Sequence, residues 1–113
     1  MEPSSNNPSR KVVRRDPCVV YITANHVYHI RYGICVQVRS VETSKILVGH
    51  ELQNRKLSGF KRSDVGPLAP EQRPGPGDIL VFEGERDGQQ VETTPITHIR
   101  PATDSERATY PKN

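Results

Sequence analysis

A small all-β domain, an antiparallel barrel or sandwich of about six to seven short strands, is the fold this sequence predicts, and three observations predict it. The stretch His26 to Arg39, HVYHIRYGICVQVR, puts apolar side chains at Tyr28, Ile30, Tyr32, Ile34, Val36 and Val38, the period-2 pattern of strand with one dry face. Ten Pro and eight Gly break the chain every few residues, which favours short strands over long helices. Two glycine-ended tripeptides, Arg31-Tyr32-Gly33 and Arg86-Asp87-Gly88, follow apolar runs and read as hairpin loops.

The first of those loops sets a register. Taken as a three-residue loop with Gly33 left-handed, it pairs Ile30 with Ile34 and Tyr28 with Val36 on the dry face, and His29 with Cys35 and Val27 with Gln37 on the other. A two-residue Tyr32-Gly33 turn would pair Ile30 with Cys35 and mix the faces, a slip that half-buried sheets resist. One unbroken strand with Gly33 as a bulge is the rival arrangement.

Residues 1–10, rich in Pro, Ser and Asn, are expected to be a disordered tail. A single β-rich domain is expected over 11–100. Its first segment, VVRRDPCVVYIT, is split by Asp16-Pro17 into a short edge piece and a strand from Cys18 to Thr23. After the central hairpin, Ile46-Leu47-Val48 reads as a third strand of a meander, and Gly49 to Phe60 as loop with one helical turn at most. Lys61 to Gly77 holds too much Pro and Gly for regular structure and reads as a long surface loop of the kind that is often functional. Asp78 to Glu83 is a continuous apolar run, the pattern of a strand buried on both faces. Gln89 to Thr94 pairs back, Pro95 marks an edge or bulge, and Ile96 to Arg100 resumes. Residues 101–113 are expected to be a loose tail. SH3-like, OB-like and PUA-like barrels all accommodate a chain of this size.

Only 33% of the 113 residues are hydrophobic and Trp is absent, so the core is small. No apolar run is long enough to cross a membrane, and MEPSSNNPSRK lacks the apolar segment of a signal peptide, so the expected location is cytoplasmic, with no membrane association. Cys18 and Cys35 fall on predicted strands and read as reduced small hydrophobes.

Little chemistry is written into the chain. The four histidines are His26, His29, His50 and His98, and the His26/His29 pair points to opposite faces of a strand, so no metal site is expected. The predicted register sets His29 across from Cys35, the one pairing with nucleophilic potential, but no third group orients it and no catalytic residue is assigned. There is no phosphate-binding Gly loop, nucleophile elbow or paired carboxylate, so no cofactor is expected. Glu83, Glu85 and Asp87 read as a solvated acidic tip.

Charge is unevenly spread. Residues 1–62 carry eleven Lys and Arg against four Asp and Glu, whereas residues 63–113 carry five against nine. Arg31 and Arg39 share the outward face with His29 and Gln37, Arg14 and Arg15 precede them, and Lys61 and Arg62 open the long loop. With Tyr32 at the hairpin tip as a stacking side chain, this set, Arg14, Arg15, His29, Arg31, Tyr32, Gln37, Arg39, Lys61 and Arg62, is the candidate binding face. PGPGDILVF, with the Val91 to Arg100 stretch, resembles the closing strands of PUA-like and ASCH-type RNA-binding barrels over about a fifth of the chain. The charged signature of the ASCH family is absent, and no functional residue is carried over. The expected function is a non-enzymatic binding or assembly module for a protein partner; the alternative is a barrel that binds RNA or single-stranded DNA through its basic face.

Overall fold

The computed structural model describes residues 18–62 and 73–111. The chain is all-β: strands β1 (Cys18–Thr23), β2 (His26–Arg31), β3 (Ile34–Ser40), β4 (Leu57–Lys61), β5 (Ile79–Glu83) and β6 (Gln90–Pro101), followed by the short helix α1 (Asp104–Ala108). The six strands form one antiparallel sheet in the order β3-β2-β1-β6-β5-β4. The sheet curls into a half-barrel. Its two outer edges meet at one end, where Ile34 bridges Lys56, Cys35 N–H donates to Arg55 O at 2.9 Å and Leu57 N–H donates to Gly33 O at 2.8 Å.

The curl buries two sets of side chains. Inside it lie Tyr21, Tyr28, Ile30, Cys35, Val38, Leu52, Leu80, Phe82 and Ile96. On the outer face Cys18, Val20 and Val36 pack under Ala102 and Tyr110, which flank α1. β1 is buried at four of its six positions because both of its faces are covered.

The hairpin register differs from the expected one. Tyr32 and Gly33 form a two-residue turn, both left-handed with φ of 52° and 79°, as the turns that match strand twist require. Ile30 therefore pairs with Cys35, and Arg31 with Ile34. The register then shifts by one residue, so that His29 opposes Gln37, Tyr28 opposes Val38 and Val27 opposes Arg39. Val36 is the extra residue of a bulge. This bulge resolves the mixing of faces: Cys35 joins Ile30 in the inner core, and Val36 turns to the outer cluster. The expectation failed because it assumed only one dry face.

Three further elements depart from expectation. Ile46 makes only an isolated bridge to Arg39, and Val48 is 90% exposed, so no third strand forms there. Leu57–Lys61, expected as loop, is an edge strand paired with β5, and Leu52 plugs the inner core from the turn before it. Within the tail expected to be loose, residues 102–111 carry structure: Thr103 caps α1 by accepting from Glu106 N–H while the Glu106 carboxylate accepts from Thr103 N–H, and Tyr110 is buried. Other expectations hold locally. Ile79–Glu83 is a strand, Gly88 is left-handed in its hairpin loop with φ of 81°, and Pro95 falls where the register shifts as β6 passes from β5 to β1. The edge piece at 12–16, Arg14, Arg15 and most of the 61–77 loop lie outside the described residues.

Candidate functional site

The segment 102–111 lies across the outer face of the sheet as a cap, and the candidate sites border it. Under the cap, His29 is fully buried, and its Nδ1 is 2.6 Å from the Tyr110 hydroxyl. Gln37, also buried, donates from Nε2 to Thr109 Oγ1 at 3.0 Å and accepts from Arg39 Nε at 2.8 Å. Arg100 grips Glu106 through two bonds of 2.7 and 2.6 Å, which ties α1 to β6. The cap is thus fastened by polar contacts to three strands.

These contacts set the electrostatics. Burial pulls the His29 imidazole down from 6.5 to about 4; Glu106 opposes that pull, and Arg39 and Arg100 add to it. His29 Nε2 has no hydrogen-bond partner among the described residues, so an imidazolium would carry an unsatisfied N–H there. The Arg100 guanidinium holds the Glu106 carboxyl at about 2. Burial also drives the Tyr110 phenol well above its ordinary range.

Two grooves flank the cap. One, of about 330 Å³, lies at the β2–β3 hairpin tip and is lined by Arg31, Tyr32, Ile34, Val36, Asn54 and Pro111. The other, of about 280 Å³, lies between the far end of β3 and α1, with Ile22, Val27 and Val41 as its apolar floor and Arg39, Arg100 and Glu106 around it.

The structure divides the sequence-derived binding face. His29 and Gln37, expected to face outward into solvent, do point to the outer face but are covered by the cap. Arg31 and Tyr32 sit at the tip groove, and Arg39 lies beyond the cap in the second groove. Lys61 and Arg62 are elsewhere, paired with Glu92 and Asp78 respectively. Arg14 and Arg15 lie outside the described residues. The cations therefore do not form one patch among the described residues.

The His29/Cys35 pairing is corrected as well. The two residues lie on opposite faces, and burial pushes the Cys35 thiol up to about 12. Such a thiol is not a thiolate nucleophile. Both cysteines are buried, and neither is in a disulfide. His26 stacks edge-on against His50, with ring centroids 5.0 Å apart, on the opposite face from His29. Among the described residues no three His, Cys, Asp or Glu side chains converge on a metal position, and no helix is long and apolar enough to cross a membrane.

Sequence reasoning missed Tyr110, Thr109 and Glu106. The string Thr103-Asp104-Ser105-Glu106 was the available signal, since Ser or Thr followed three residues later by Glu marks a helix start. Comparison of the chain with protein-family models, with curated proteins and with solved structures found no match.

Proposed function

We propose that this chain is a non-enzymatic cytoplasmic binding module for a protein partner, and that the partner seats at the hairpin-tip groove. The observation that carries this reading is Tyr32. It is left-handed at a turn position that suits Asn, Asp or Gly, and it is 76% exposed. A bulky side chain there costs roughly 1 kcal/mol of backbone strain and gains little burial in return. Neither the turn nor the core accounts for a tyrosine, whereas contact with a partner does. The groove below it has an apolar floor of Ile34 and Val36, with Arg31 and Asn54 beside it. Tyr and Arg around an apolar centre are the side chains that dominate binding energy at protein interfaces. Two buried cysteines outside any disulfide suit a reducing compartment.

The dispersal of Arg39, Lys61 and Arg62 away from Arg31 favours a protein over a nucleic acid, which needs clustered cations. The test is a photo-crosslinking amino acid placed at Tyr32 in cells, with Glu85 on the acidic tip as the control position. A discrete protein adduct formed at Tyr32 and not at Glu85 is the expected result. Adducts to RNA, or the same adducts from both positions, would refute the reading.

A further inference from the structure

The groove beyond the cap contains an arginine whose charge is held in place but not neutralised. Arg39 donates from Nε to Gln37 Oε1 at 2.8 Å and from Nη1 to Ser44 O at 3.3 Å, both neutral acceptors. Gln37 is itself fixed, because its Nε2 is bonded to Thr109 of the cap. No carboxylate pairs with Arg39 among the described residues. The guanidinium therefore keeps both Nη2 protons and one on Nη1, donors enough for two oxygens of one anion. The nearest carboxylate in the groove, Glu106, is already engaged on both oxygens by Arg100.

We propose that this groove is a binding site for a branched aliphatic carboxylate, its head on the fork of Arg39 and its alkyl body on Ile22, Val27 and Val41. The charge of the lining selects the class. Arg39, Arg100 and Glu106 are its charged side chains and together leave one positive charge, which a monoanion neutralises. A dianion such as phosphate would bring excess negative charge beside Glu106. The floor selects the body, because its three side chains are aliphatic and Val41 is 40% exposed, leaving apolar surface for a ligand to cover. A volume of about 280 Å³ is at the small end for ligand sites and suits a short acid, free or as the last residue of a peptide.

The experiment is an NMR titration of the full chain with 3-methylbutanoate, following the Arg39 Nε–H and the methyl groups of Ile22 and Val27. The parallel probes are 3-methylbutanol, inorganic phosphate, and acetyl-Gly-Gly-Leu with a free or an amidated C-terminus. Saturable shifts at those groups with the acid, in the millimolar range expected of so small a ligand, and none with the alcohol or phosphate, are the expected result. Arg39→Gln should weaken the acid about tenfold, the loss of a charged fork, while Arg62→Gln should leave it unchanged. If Arg39→Gln perturbs the spectrum away from the groove, Arg39→Lys is read in its place and should also bind more weakly, because an ammonium has no fork. Tighter binding by the free-acid peptide than by 3-methylbutanoate assigns the site to a chain terminus, and weaker binding assigns it to a free acid. Absence of saturable shifts, equal shifts with the alcohol or phosphate, or binding indifferent to Arg39 would overturn the proposal.

Discussion

Acidification should loosen this domain through His29 before any carboxylate is involved. The folded imidazole titrates at about 4, against 6.5 when exposed. The unfolded chain therefore takes up the proton first as pH falls. The stabilising contribution is complete above 6.5, declines as pH drops, and is gone below the folded value. Over that window each pH unit costs about 1.4 kcal/mol. From about pH 6.5 to about pH 5 the loss is on the order of 2 kcal/mol, a large part of the stability of a small domain. Urea melts followed by far-ultraviolet circular dichroism should show the midpoint falling by about 1 M across that range. His29→Gln preserves a hydrogen bond to Tyr110 without titrating and should remove most of that fall. Burial lowers His50 too, but His50 is retained in the variant, so the difference between the two profiles isolates His29. Glu106, held at about 2 against an ordinary 4.5, contributes only at lower pH. Parallel profiles for wild type and variant, or an imidazole titrating near 6.5 by NMR, would refute the reasoning.

Three other outcomes follow from the same structure. Tyr32→Asn should raise the melting temperature by relieving a left-handed tyrosine, a gain of roughly 0.5–1 kcal/mol, while abolishing crosslinking or capture of the partner at the tip; a destabilised variant would remove the argument from strain. Glu106→Ala breaks the capping box and the Arg100 pair together and should cost about 1–2 kcal/mol, with faster amide exchange at Thr109 and Tyr110 ahead of the sheet; exchange unchanged at those amides would show that the cap is held by other contacts. Cys35, in a Cys18→Ser background, should resist iodoacetamide at mildly alkaline pH and react only on unfolding, as a thiol raised to about 12 demands; rapid alkylation of the folded protein would contradict its burial.

Much of the sheet could be read from periodicity because its strands are apolar at regular spacing. Cys18–Thr23 and Ile79–Glu83 emerged with close to their observed bounds. β4 was not legible, since Leu57 and Phe60 are its only large apolar side chains and its place is set by pairing with β5. The hairpin register failed for a related reason. Alternation says that one face is dry, but it cannot say that a distant segment will dry the other. That segment brings only Ala102 and Tyr110 to the core, and its helix is mostly polar, so no hydrophobic stripe announced it. His29 and Tyr110 are 81 positions apart, and nothing local to either marks the other as its partner. Arg39 and Tyr32 were legible as residue types but not as members of separate grooves, because the cap that parts them is the element the sequence hid.

The pairing of β1 with β6 puts nearly the first and last described residues side by side at the centre of the sheet, with Val20 opposite Arg100. Closing that contact spans a loop of about 80 residues, the costliest closure in the fold by chain entropy. Folding should accordingly be slow for so short a chain. On a ribosome, β1, β2 and β3 emerge together as a three-stranded meander whose β1 edge, CVVYIT, stays bare until Arg100 has been made. An uncovered apolar edge of that kind is where nascent chains pair with one another. Loss of residues 98–113 would therefore do more than uncap one face: it would leave the central seam without part of β6, and yield should fall through aggregation before any binding could be measured.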